Sequence, residues 1–174
     1  MNVERANTTD TNELVELRVA YLTEDNGALD EDVEAAVRDG LPGYYGNHLG
    51  HDLHAFVIRK GGRIVSCAFL VVVEKPMSPA FINGKTGIVL NVYTRPNYRR
   101  QGYAKQVMEA LLADACKLDL SVVELQATDD GYPLYLSVGF SNDKSKYHRM
   151  KWYNHLATHC KPNMSSCESK EIEQ

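Results

Sequence analysis

The sequence has few cysteines, and their spacing serves no common purpose. Cys67, Cys116, Cys160 and Cys167 form no CxxC pair; two lie in strongly periodic segments and two in a polar tail. That pattern argues against a disulfide framework and against a zinc site. Excess positive charge is missing too. Nineteen Lys and Arg stand against 23 Asp and Glu, for a net charge of −4 and a pI near 5.9. A protein that neutralises nucleic-acid phosphates needs a concentrated basic face, so no nucleic-acid partner is expected and a small or cationic one fits better. Long apolar runs are also absent. Phe69–Val73 is among the longest, far short of the roughly 20 residues that span a bilayer. The opening MNVERANTTD lacks an apolar h-region, so neither export nor membrane attachment is expected, and the protein reads as cytoplasmic.

What is present suffices for one core. The 174 residues, 44% of them hydrophobic, suit a single domain that needs no disulfide or structural metal. No internal repeat or composition shift marks a linker. Residues 2–7 suit a short strand. Thr9-Asp10-Thr11 offers caps for a helix whose apolar positions are Leu14, Val15, Leu17, Val19 and Leu22,. A second helix is expected from Asp30 to about Arg38, stopping near Gly40-Leu41-Pro42, while the stretch from Gly43 to His54 fits no pattern cleanly,. Ala55–Arg59 and Ile64–Val73 flank Lys60-Gly61-Gly62-Arg63, a hairpin signal,. Gly87–Tyr93 is almost continuously apolar, as a central strand would be,. Ala104, Val107, Met108, Leu111, Leu112, Ala115 and Leu118 follow at helical spacing, the strongest periodic signal in the chain,. Ser121–Ala127 reads as a strand, Gly131–Val138 as a short helix and Tyr147–Trp152 as a last alternating strand. The expected order is a mixed α/β sheet in residues 1–153, followed by a polar, disordered tail over 154–174.

The chemistry concentrates between a strand and a helix. In the run from Val92 through Tyr93, Thr94 and Arg95 to Ala104, an apolar strand ends, a basic loop follows, and a helix opens on Gly102 and Ala104. Amides at a helix N-terminus are unsatisfied and carry the positive end of the helix dipole; small residues let a pyrophosphate approach them, and Arg99 and Arg100 add charge. Alone, the hexapeptide also describes a solvated arginine pair before any surface helix.

Arg99-Arg100-Gln101-Gly102-Tyr103-Ala104 matches, position by position, the Q/R-x-x-G-x-G/A loop of the GNAT superfamily of acetyl-CoA-dependent N-acetyltransferases, and the chain resembles that family. A second signature agrees: Leu134-Tyr135 on a short helix, followed by Gly139-Phe140. The resemblance implies a central mixed, mostly antiparallel twisted sheet of six to seven strands flanked by about four helices, α/β (α+β) in class. It implies acetyl-CoA as cosubstrate, no metal, and direct transfer of the acetyl group to a primary amine in a ternary complex. Val92, Tyr93 and Thr94 would meet the acetyl and pantetheine portions, and Arg99, Arg100, Gln101, Gly102, Tyr103 and Ala104 the pyrophosphate. Thr128 stands where relatives carry an asparagine that contacts the cofactor arm. Tyr135 aligns with the tyrosine that protonates the departing thiolate; the alternative is a tyrosine that only packs an amphipathic helix.

Some relatives place a catalytic glutamate on the central strand, where this chain has Ile88. The base stays open among Glu24, Asp25, His54, Glu74, water, or none. His48, His51 and His54 share a spacing of three, but Gly46 and Gly50 argue against the helix a metal site would need there,. Acidic residues from Glu24 to Glu34 are either a solvated face or an attractor for a cationic amine, and Tyr44 and Tyr45 either line the acceptor site or pack on the core. A small-molecule amine is the expected acceptor, with a protein or peptide amine as the alternative. The remaining readings are a non-catalytic acyl-CoA sensor and a generic interaction module. Homodimerisation is compatible with the family.

Overall fold

Consecutive glycines at Gly61 and Gly62, both at positive φ (56° and 80°), close the hairpin between β2 (Leu53–Lys60) and β3 (Arg63–Glu74), a turn that L-residues with a Cβ enter only under strain. In this computed structural model, which describes residues 2–143, 146–148 and 150–152, that hairpin is the centre of a five-stranded sheet. Its order is β1-β2-β3-β4-β5, with β1 at Glu4–Arg5, β4 at Lys85–Thr94 and β5 at Val122–Glu124. All neighbours are antiparallel except β4 and β5, which run parallel. Four helices accompany it: α1 (Thr11–Asn26), α2 (Glu31–His48), α3 (Tyr103–Lys117) and α4 (Tyr132–Ser137). The chain divides into two units, Met1–Ser141 and Asn142–Gln174, and all these elements belong to the first.

Alternation along the strands builds two cores. Leu53, Ala55, Val57, Cys67, Phe69 and Tyr93 face α1 and α2, where Leu14, Leu17 and Tyr45 meet them. Phe56, Ile58, Val65, Ala68, Leu70 and Val89 face α3, where Val107, Met108 and Leu111 meet them. Burying both faces makes β2 and β3 read as nearly unbroken apolar runs.

Two expectations fail. The second helix does not stop near Gly40-Leu41-Pro42 but continues through Pro42 to His48. Val37, Leu41, Tyr45 and then Leu49, four residues apart, pack on the α1-side core, and that stripe holds the helix despite the hydrogen bond Pro42 cannot donate. The sheet has five strands, not six to seven, because the described residues of Tyr147–Trp152 form no strand. Tyr147, Met150 and Trp152 are 76%, 91% and 83% exposed, so the alternation buries no face that would fix a strand. The expected disordered tail lies outside the described residues.

The β3–β4 pairing carries the irregularity that matters. Cys67 pairs with Tyr93 and Phe69 with Leu90, so Ala68 alone opposes both Asn91 and Val92: a β-bulge. Asn91 adopts φ 52°, a left-handed conformation that asparagine tolerates better than most L-residues.

Candidate active site

Beyond Ile88, whose partner is Glu124, β5 no longer pairs with β4. The last six residues of β4, Val89 to Thr94, therefore present an edge that no β5 residue covers. Arg95 donates its N–H to the Val65 carbonyl of β3, so strand alternation turns the preceding peptide groups of Thr94 outward. Val92 lies two residues back on the same edge, at the bulge. Val92 and Thr94, two of the three residues expected to meet the acetyl and pantetheine groups, thus sit at a gap in the sheet, while the ring of Tyr93 packs in the α1-side core.

The loop that follows turns through a short 3-10 segment, Pro96–Tyr98. Arg100 and Gly102 then take positive φ of 60° and 77°, a concave arrangement that points successive N–H groups inward, as in anion-binding nests. Gly102 is the N-cap of α3, no side chain caps that end, and the first helical bond runs from Gln106 N–H to the Gly102 carbonyl. The amides of Tyr103, Ala104 and Lys105 are left for an anion, and the first turn of α3 contains no acidic residue,. These residues fit a pyrophosphate.

Side chains in the loop divide their work. Tyr103 is buried with the α3-side core, its ring beneath the Lys60 ammonium, so it offers only its backbone. Arg99 does not reach into the nest. Its Nη2 donates to Glu24 on α1 at 2.6 Å, its Nε to the Thr94 carbonyl at 2.9 Å, and its guanidinium lies 5.7 Å from the centre of the Tyr93 ring. Arg100 and Gln101 are exposed, Gln101 donating weakly to the Asn97 carbonyl at 3.4 Å. Thr128 opens α4: its hydroxyl oxygen accepts from Gly131 N–H at 3.2 Å and its carbonyl from Tyr132 N–H at 2.9 Å, leaving the hydroxyl proton to donate elsewhere.

Tyr135 is half-buried against the same core as Val92, edge-on to Phe140 at 6.1 Å. Burial, with a smaller contribution from Tyr21, pushes its phenol up to about 12. It is a neutral proton donor at any physiological pH. Tyr21 belongs to α1, on the opposite side of the sheet.

Among the proposed bases, Glu24 is engaged by Arg99, and His54 hydrogen-bonds the Asp114 carboxylate at 2.9 Å. Asp114 lies about 18 Å along α3 from Gly102, away from the gap. The histidine trio does not converge, and the described residues contain no group of three metal-ligating side chains. Residues that sequence patterns did not mark lie on the α1 side of β4 at the bulge: Arg18 contacts both Asn91 and Tyr21. Asn91 had a signal, being the one amide in an otherwise apolar strand. Arg18 had none, because its partner lies 73 positions away.

An uncovered strand edge beside an uncapped, glycine-entered helix has the geometry that an acyl group carried on a nucleotide requires. A sequence model of the acetyltransferase (GNAT) family matches residues 12–140. The chain belongs to that family and is an acetyl-CoA-dependent acyltransferase. Solved structures agree in fold. A predicted acetyltransferase of Clostridium acetobutylicum, solved with acetyl-CoA, is 22% identical over 86% of this chain and 95% of that one, with a TM-score of 0.75. A GCN5-related N-acetyltransferase of Ralstonia eutropha is 24% identical over 86% and 97%, with a TM-score of 0.72. Glucosamine-6-phosphate N-acetyltransferase of Arabidopsis thaliana is 18% identical over 88% and 98%, with a TM-score of 0.64. No protein of curated function matches at a significant level. No helix among the described residues is long and apolar enough to cross a membrane.

Proposed function

We propose that the protein transfers the acetyl group of acetyl-CoA directly to the primary amine of a small molecule, within a ternary complex. The observation that carries this reading is the open end of β4, which β5 leaves unpaired after Ile88 and which leads into the nest at Arg100 to Gly102, with the Tyr135 ring packed on the same core as Val92. The nest and the amides of Tyr103 and Ala104 hold the pyrophosphate; Val92 and Thr94 orient the acetyl and pantetheine portions. A neutral amine nitrogen attacks the acetyl carbonyl carbon, the carbon–sulfur bond breaks, and the Tyr135 hydroxyl gives its proton to the departing thiolate. The proton lost by the new amide nitrogen leaves to solvent, and the phenol is restored from solvent. Positioning supplies most of the acceleration, and no covalent enzyme intermediate is involved.

The test is CoA release with detection of the acetylated product across a panel of small amines, for the native protein and for Tyr135→Phe. Loss of the phenol should lower kcat by roughly 10²- to 10⁴-fold and leave acetyl-CoA affinity unchanged. Tight acetyl-CoA binding with no release to any amine would favour the sensor reading, and acetylation confined to peptide amines would replace the small-molecule acceptor.

A further inference from the structure

The α1 side of β4 carries a group that the transfer mechanism leaves unused. Arg18, half-buried on α1, directs Nη1 at the Asn91 side-chain oxygen over a long 3.4 Å and stacks 5.5 Å from the centre of the Tyr21 ring. Among the described residues no carboxylate lies within ion-pair distance of it. Arg38 and Arg59, by contrast, are each held by at least two carboxylates. A polar group buried on the same side of the sheet has nothing to bind. Tyr45 is 1% exposed, and its hydroxyl has no hydrogen-bond partner among the described residues. The charge of Arg18 reaches that phenol and also the phenols of Tyr21 and Tyr44. Next to them Leu90, facing the same side as its core partner Phe69, stays 43% exposed. A guanidinium on Asn91, an orphaned hydroxyl whose ring packs on Phe69, and Leu90, the strand partner of Phe69, thus share the α1 side of the sheet next to the bulge.

We propose that the acceptor amine carries an anionic group, a carboxylate or a phosphate, on the same small molecule, and that Arg18 binds it beside Asn91 and Tyr45. The proposal rests on the acetyltransferase reading and names its substrate class. A half-buried guanidinium that no carboxylate occupies is suited to bidentate capture of either anion,. Asn91, which Arg18 contacts, and Val92 are adjacent residues whose Cα atoms lie about 3.8 Å apart across a trans peptide, so the amine is to be only a few bonds from the anion, as in an amino acid or a short aminoalkyl phosphate. Attraction of a plain cation by the acidic residues that line the cleft between α1 and α2 is weakened, because each is already ion-paired: Glu16 and Glu34 share Arg38, and Glu24 is held by Arg99.

Matched pairs of acceptors test it: amino acids against the amines left by their decarboxylation, and aminoalkyl phosphates against the parent amino alcohols. CoA release by the native protein should favour one anionic series over its neutral partners by roughly 10- to 100-fold in kcat/KM, and the series that wins separates carboxylate from phosphate. Arg18→Met should erase that gap by raising KM for the anionic member alone, with the neutral partner and acetyl-CoA affinity unaffected; Arg18→Lys should keep part of it. Equal turnover of both members by the native protein, or an equal loss for both in Arg18→Met, overturns the proposal while leaving the transferase intact. Failure of the native protein to bind acetyl-CoA would instead remove the transferase reading on which the proposal depends.

Discussion

Gly102 is where a single side chain separates the two contributions of the cofactor loop. Its φ of 77° lies in the left-handed region, so any L-residue there costs about 1–2 kcal/mol in backbone strain. A Cβ at this position would meet nothing nearer than Gln106 Nε2 at 3.9 Å, so no clash adds to that cost. Gly102→Ala should therefore lower stability by about 1–2 kcal/mol and Tm by roughly 2–8 °C, and weaken acetyl-CoA binding only modestly. Gly102→Glu shares the strain but adds a negative charge beside the pyrophosphate. Two like charges near 4 Å at an effective dielectric of about 20 repel by about 4 kcal/mol, roughly a thousandfold in Kd. Titration calorimetry with acetyl-CoA, alongside thermal denaturation of both variants, reads the two effects separately. If Glu binds as tightly as Gly, or if Ala loses as much affinity as Glu, the pyrophosphate does not sit at the start of α3.

Further outcomes follow from other contacts. A Cβ on Gly131 would stand 3.0 Å from Tyr135 Cε2 and 3.3 Å from Thr128 Oγ1, so Gly131→Ala should push the phenol aside by a few tenths of an ångström and lower kcat with little change in acetyl-CoA affinity, as single-turnover kinetics would register. Asp114 is hydrogen-bonded by buried His54 and ion-paired with Arg5, and Asp114→Ala should cost about 3 kcal/mol, seen as a lower urea midpoint. Burial opposes the Asp114 charge, but the bonds from His54 and Arg5 outweigh it and hold the carboxyl below its ordinary 3.8. Its contribution is present above that value and lost as pH falls through the depressed one, so Asp114→Asn should flatten the acid limb of a stability–pH curve. Burial pushes the Cys67 thiol up to about 12, whereas Cys116 is exposed; alkylation followed by peptide mapping should label Cys116 in the native protein and Cys67 only after denaturation.

By itself the sequence determined whatever depends on neighbours along the chain. The period of Val107, Met108, Leu111 and Ala115 placed α3, the paired glycines placed the β2–β3 hairpin, and the Arg99 to Ala104 run placed a helix N-terminus after a strand, because helix faces, tight turns and dipoles are set by residues a few positions apart. Pro42 misled for the complementary reason: a local breaker was overridden by the burial of Leu41 and Tyr45 against strands far along the chain. Only the tertiary structure decided the bulge at Asn91, which exists through its register with β3, and the departure of β5 that opens the edge of β4. It likewise turned Arg99 from the nest towards Glu24, 75 positions away, and brought Arg18 to Asn91. Such meetings depend on strand register and helix docking, which no local pattern encodes.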